Sequence, residues 1–126
     1  MTKPTTIPDV RPLTTDERRL LEWLLYHGTS EAAAYLEQLP KVSVVARCGC
    51  GCPTIDLAVD GRAARLSSPS TILADAAGKS PEGVGVGIIV HGREDLISEL
   101  EIYSLAGGDE KFSLPRIEDI DRYDDA

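Results

Sequence analysis

The chain has 126 residues, 42% of them apolar and 27% charged, enough to bury about two-thirds of the surface its unfolded form exposes in one core without staples. Its formal charge is −8, and the acidic excess lies wholly after Arg47, because residues 1–47 carry six side chains of each sign. That balance opposes the basic patch which phosphate neutralisation requires, so neither DNA nor RNA is expected as a partner. No apolar run approaches the roughly 20 residues that cross a bilayer, and MTKPTTIPDVRP lacks the apolar stretch of a signal peptide. The expectation is one cytoplasmic domain over 1–126, with no membrane partner.

Residues 1–12, punctuated by Pro4, Pro8 and Pro12, read as an extended entry segment. Thr14-Thr15-Asp16-Glu17 matches a capping box, which satisfies free amides at a helix start. Leu20, Leu21, Leu24 and Leu25 then recur at helical spacing, which predicts a helix over 15–27, ended by Gly28 in the left-handed conformation. A second helix is predicted from a Ser30 cap to Pro40, with Ala32, Tyr35, Leu36 and Leu39 on one face.

Beyond Pro40 the period falls to two, the mark of strands. Val42, Val44 and Ala46 alternate with Lys41, Ser43 and Arg47; Ile55, Leu57 and Val59 form a second strand; Val84, Val86, Ile88 and Val90 alternate largely with glycine. Leu96, Leu100 and Ile102 lie opposite Glu99, Glu101 and Tyr103, after a hairpin turn over Gly92 to Asp95. Residues 61–82 are expected to hold a short strand near Ala63 to Leu66 and then a loop or helical turn. Residues 118–126 read as a solvated acidic tail. The fold class expected is α+β, a helical hairpin packed on a mostly antiparallel β-meander of four to five strands.

Arg47-Cys48-Gly49-Cys50-Gly51-Cys52-Pro53 holds all three cysteines. By parity they continue the Val42 and Val44 face, which makes them small buried hydrophobes. Two other readings stay open. Cys48, Cys50 and Cys52, with His91 or Asp56, would supply a zinc site if the chain bends at its glycines, although the spacing departs from common zinc knuckles. A Cys-Gly-Cys pair would also close a strained, labile disulfide. His27 suits the negative end of the first helix. Glu99 and Glu101 read as an exposed charged face, and Ser67, Ser68, Ser70 and Thr71 lie in a loop without a nucleophile-elbow pattern. Gly83, Gly85 and Gly87 lack the spacing of a nucleotide loop; they bare a strand face that Tyr103, Arg47 or a second copy of the chain would cover.

CGCGCPTIDL at Cys48 to Leu57 resembles a motif carried by small bacterial proteins of actinobacterial type, and the resemblance extends to Arg11 to Thr14 and Ser98 to Tyr103. That family has no established activity, so the resemblance implies a recurring module and no functional residues. No catalytic constellation can be argued from the sequence. The functional expectation is a noncatalytic, self-associating protein-interaction module, with no cofactor. The alternatives are a metal-binding or thiol-redox protein using the cysteines, and an immunity-like inhibitor whose acidic half blocks a basic partner.

Overall fold

A computed structural model describes residues 6–108 and 111–122. Seven strands, β1 (Thr6–Pro12), β2 (Val42–Cys48), β3 (Ile55–Val59), β4 (Thr71–Lys79), β5 (Gly85–Arg93), β6 (Leu96–Ser104) and β7 (Ile120–Arg122), form one sheet. Its order is β1-β2-β3-β6-β5-β4-β7, antiparallel throughout. Helix α1 (Thr15–Tyr26) and a 3₁₀ helix (Ala32–Lys41) complete the regular structure, with a single 3₁₀ turn at Ile117–Asp119. No helix among the described residues is long and apolar enough to cross a membrane.

Helix α1 begins where the capping box places it. The Glu17 amide donates to Thr14 Oγ1 at 3.1 Å, and the Thr14 amide donates to Glu17 Oε1 at 2.9 Å. Arg11 grips the same carboxylate with two nitrogens, at 2.8 and 3.0 Å, and so ties the end of β1 to α1. Leu20, Leu21, Leu24 and Leu25 are fully buried against the sheet. Gly28 is not left-handed. It is needed for close approach: a Cβ there would run into the Leu73 carbonyl and would stand 3.0 Å from both Ala32 Cβ and the Leu24 carbonyl.

The helical hairpin on a four- to five-strand meander is overturned. The second helical segment is 3₁₀ rather than α, with Pro40 inside it and no side-chain cap at its start. Gln38 docks it by donating to the Asp95 carbonyl at 2.8 Å and accepting from the Ile97 amide at 2.9 Å. The sheet is not a meander, because β3 pairs with β6. Three strands were not expected. β1 lies within the entry segment as an edge strand, the position where Pro8 and Pro12 cost no ladder bonds. β4 runs through the stretch assigned to a loop; after Ile72 and Leu73, Ala74, Ala76 and Ala77 make it apolar without the large alternating side chains that announce a strand. β7 lies within the acidic tail and pairs with β4 at Gly78, where Asp119 and Ile120 press too close for a Cβ. Residues 1–5 of the entry segment and 123–126 of the tail lie outside the described residues.

One face of the sheet carries the core, with Val44, Leu57, Val86, Ile88, Val90, Leu100 and Ile102 all at 1% exposure or less beneath α1 and the 3₁₀ helix. Four bulges interrupt the alternation among the described residues, one of them on β1 between Pro8 and Arg11. On β2, Val44 opposes Leu57 but Ala46 opposes Asp56, so Val45 is an extra residue. On β6, His91 opposes Glu99 while Gly92 opposes Ile97, leaving Ser98 extra. On β4, Leu73 is extra and packs over Gly92. Each bulge flips every side chain beyond it to the other face.

Candidate functional site

The bulge at Val45 decides where the cysteines go. Unbroken parity carries Cys48 onto the Val42 and Val44 face; with the extra residue, Ala46 and its neighbour by parity Cys48 fall on the face of Asp56. The strand then ends at Cys48, and residues 49–53 turn. Gly51 has φ +92°, a conformation that L side chains rarely adopt, and its amide donates to the Cys48 carbonyl at 3.4 Å. The Cys48 amide donates to the Thr54 carbonyl at 3.2 Å and closes the loop on itself. The reading of the cysteines as an extended run of buried hydrophobes is therefore corrected. Cys50 is exposed, and Cys48 and Cys52 are half-buried.

The turn gathers the sulfurs. All three Sγ atoms lie within 4.8 Å of one another, and those of Cys48 and Cys50 are hydrogen-bonded at 2.8 Å. The Cys50 amide donates to Cys48 Sγ and the Cys52 amide to Cys50 Sγ, both at 3.4 Å, an arrangement that stabilises negative charge on sulfur. The thiols divide their acidity accordingly. Burial and the bonded Cys50 push Cys48 up to about 12. Burial acts the same way on Cys50, but the hydrogen bonds it accepts from Cys48, Cys52 and the backbone outweigh it and bring Cys50 below the ordinary thiol value.

These sulfurs line a cavity of about 560 Å³ on the sheet face opposite the helices. β3 contributes Asp56, β5 contributes His91 and Arg93, and β6 contributes Glu99, Glu101 and Tyr103. Thr54 holds the floor together by accepting from the Ile102 amide at 2.8 Å and donating to its carbonyl at 3.0 Å, which extends the β3–β6 pairing by a side chain. The Tyr103 ring lies directly over Gly87, so the glycine-bared face of β5 is covered from within the molecule.

His91 does not group with the thiols. Its side chain is 14% exposed, shares a hydrogen bond through Nδ1 with Ser70 Oγ at 2.6 Å, and shares another through Nε2 with Glu101 Oε1 at 2.8 Å. The potential ligand atoms of His91, Glu99 and Glu101 lie within 4.8 Å of one another and form a second group in the same cavity. Arg93 donates to Glu99 Oε1 at 3.2 Å and to Ser98 Oγ at 3.1 Å. Asp56 lines the cavity but belongs to neither group. His27 caps α1, with Nδ1 2.8 Å from the Trp23 carbonyl and its ring against the Trp23 indole.

Sequence reasoning placed Ser70 in a loop and gave it no role, missed Arg93, and read Glu99 and Glu101 as an exposed charged face. One signal was available. Counting outward from the hairpin turn, where Glu94 and Asp95 both adopt positive φ, brings His91 to within one residue of Glu99, close enough to suspect a cross-strand pair. Three thiols with an open side can hold a thiophilic cation or form a disulfide, and an imidazole with two carboxylates can hold a cation or move a proton. No family model matches the chain, and neither the curated proteins nor the solved structures hold a match to it.

Proposed function

We propose that the protein binds a thiophilic metal ion, zinc in the first instance, on Cys48, Cys50 and Cys52. The observation that carries this reading is the convergence of three sulfurs on one glycine-dependent turn, with two backbone amides directed at them. Three protein ligands beside a cavity match the pattern of zinc sites that leave a fourth position for water or substrate; structural sites close with four. Bound there, zinc would polarise whatever occupies that position. Arg47 and Lys111 line the same cavity, and Lys111 Cε stands 4.0 Å from where a Cβ on Gly51 would be, so cationic charge borders the thiolates.

The 2.8 Å contact between Cys48 and Cys50 favours a second reading, a thiol–disulfide couple. Both thiols would give up their protons and two electrons to a disulfide oxidant, which leaves as two thiols. The self-association reading has less support: β1 is the exposed edge, with Val10 80% exposed, but Pro8 and Pro12 remove donors that strand pairing needs.

Elemental analysis of reduced protein prepared without chelator separates the two chemistries. Cys50→Ser is expected to hold one equivalent of zinc fewer than the wild type. Zinc uptake equal in the wild type and Cys50→Ser, with thiols that oxidise to a Cys48–Cys50 disulfide in the wild type, would replace metal binding by the redox reading.

A further inference from the structure

Beside the thiols, the cavity holds a second set of ligand atoms with a different chemical preference. We infer that His91, Glu99 and Glu101 form a separate site for a divalent first-row cation that favours nitrogen and oxygen ligands, of the Mn²⁺ or Fe²⁺ kind. The proposal stands whether or not the cysteines bind metal.

Placement is the first argument. His91 and Glu99 are register partners on adjacent strands, and Glu101 follows two residues along the same face of β6, so the three side chains project from rigid backbone in one direction. Their ligand atoms already lie within 4.8 Å of one another. An imidazole with two carboxylates is the donor set of borderline and hard cations; thiophilic ones prefer the sulfurs nearby.

Support around these ligands is the second argument. Ser70 Oγ engages His91 Nδ1 at 2.6 Å, which orients the ring and leaves Nε2 directed at Glu101 Oε1, 2.8 Å away. A cation would take the place of the proton that those two atoms share. Arg93 holds Glu99 Oε1 and leaves the second carboxylate oxygen for coordination. Such outer partners distinguish a built site from carboxylates that merely share a surface.

A third observation concerns a different atom of Arg93. Arg93 lines the cavity with its side chain only 8% exposed, and its Nε has no hydrogen-bond partner among the described residues. A buried donor without an acceptor is costly, and the oxygen-rich shell of a hydrated cation supplies one. Asp56 opposes Glu99 across the β3–β6 pair, which brings a third carboxylate beside the ligands.

The test uses Mn²⁺ alone as probe, with the full chain, and reads bound against free ion by the electron paramagnetic resonance signal of aqueous Mn²⁺. The expected result is one equivalent bound by wild type, none by Glu101→Gln, and a roughly ten- to a hundredfold weaker affinity in Ser70→Ala, which removes the hydrogen bond that orients His91 but none of the ligands. The triple variant Cys48→Ser, Cys50→Ser, Cys52→Ser is expected to bind Mn²⁺ as wild type does, while losing the thiolate-to-cobalt absorption that Co²⁺ gives at the sulfurs. Ser70→Ala decides the matter if Glu101→Gln fails to fold. Absence of Mn²⁺ binding, binding unchanged in Ser70→Ala, or binding lost in the cysteine variant would each overturn the separate site.

Discussion

Titrating zinc into the reduced protein while following thermal unfolding tests the thiolate site through its energetics. Three sulfurs at about 2.3 Å from a tetrahedral ion lie about 3.8 Å apart. Those of Cys48, Cys50 and Cys52 lie within 4.8 Å, with the shortest separation 2.8 Å, so each has roughly 1 Å to move. Side-chain rotation suffices, and the turn need not refold. A ligand that binds only the folded state at a hundred times its dissociation constant adds about 2.7 kcal/mol. For 126 residues the unfolding entropy is about 0.26 kcal/mol/K, so the midpoint rises by about 10 °C. This is an upper bound, because three cysteines within five residues remain near one another in the unfolded chain and retain affinity there. Differential scanning calorimetry of wild type and Cys50→Ser reads the effect as a difference, with the upward shift expected to be larger in the first than in the second by this amount. No shift, or a downward one, would mean that the folded turn presents its sulfurs no better than the unfolded chain does, and the reasoning would fail.

The scaffold makes its own predictions. Glu17→Gln removes a carboxylate that is 9% exposed and gripped twice by Arg11, which is expected to cost about 2 kcal/mol in urea unfolding. Burial raises the Glu17 carboxyl, but the bonds from Arg11 and Thr14 prevail and hold it below 4.5; the stabilisation is therefore present above that pH and lost as pH falls through the folded value, and Glu17→Gln should flatten this acid limb. Gly28→Ala ordinarily gains stability through the unfolded chain. Here the Leu73 carbonyl and Ala32 bar the methyl group, so a loss of about 1–3 kcal/mol is expected in the same assay. Glu82 accepts from the Ser113 hydroxyl at 2.7 Å and its amide at 2.9 Å, bonds that lower its carboxyl to about 2. Hydrogen exchange at Ser113, corrected for intrinsic rate, should lose protection as pH falls from 4.5 toward 2 in wild type, and Glu82→Gln should show no such dependence.

Local signals were legible wherever one residue type has one physical consequence. The Thr14 and Glu17 capping box placed the start of α1, and its four leucines named the buried face. Alternation found the strands with large side chains, β2, β3, β5 and β6. It missed β4, where alanine and glycine leave too little contrast between the faces, and β1 and β7, which are defined by pairing at an edge rather than by pattern. The pairing of β3 with β6 is a long-range choice. It follows from how the whole apolar face is covered, and no short segment encodes it.

The site was harder to read than the fold, and the cause is specific. A parity argument carries a side chain along a strand only while every residue has a partner, and one unpaired residue inverts the conclusion for all that follow. Val45 does this to Cys48. Ser98 shifts the partner of His91 to Glu99. Both bulges lie on strands that border the cavity, and there they serve the same end. The inward sequence of apolar residues stays intact up to the bulge, after which the chain can present polar and sulfur-bearing groups without breaking the core. Removing the bulge by deleting Val45 would restore simple alternation and turn Cys48 back toward the Val44 face. The cysteine triad should then lose its grouping, and zinc uptake with it, while the sheet keeps its pairing. If zinc uptake survived that deletion, the turn at Gly51 alone would suffice to gather the sulfurs, and the bulge would have no part in building the site.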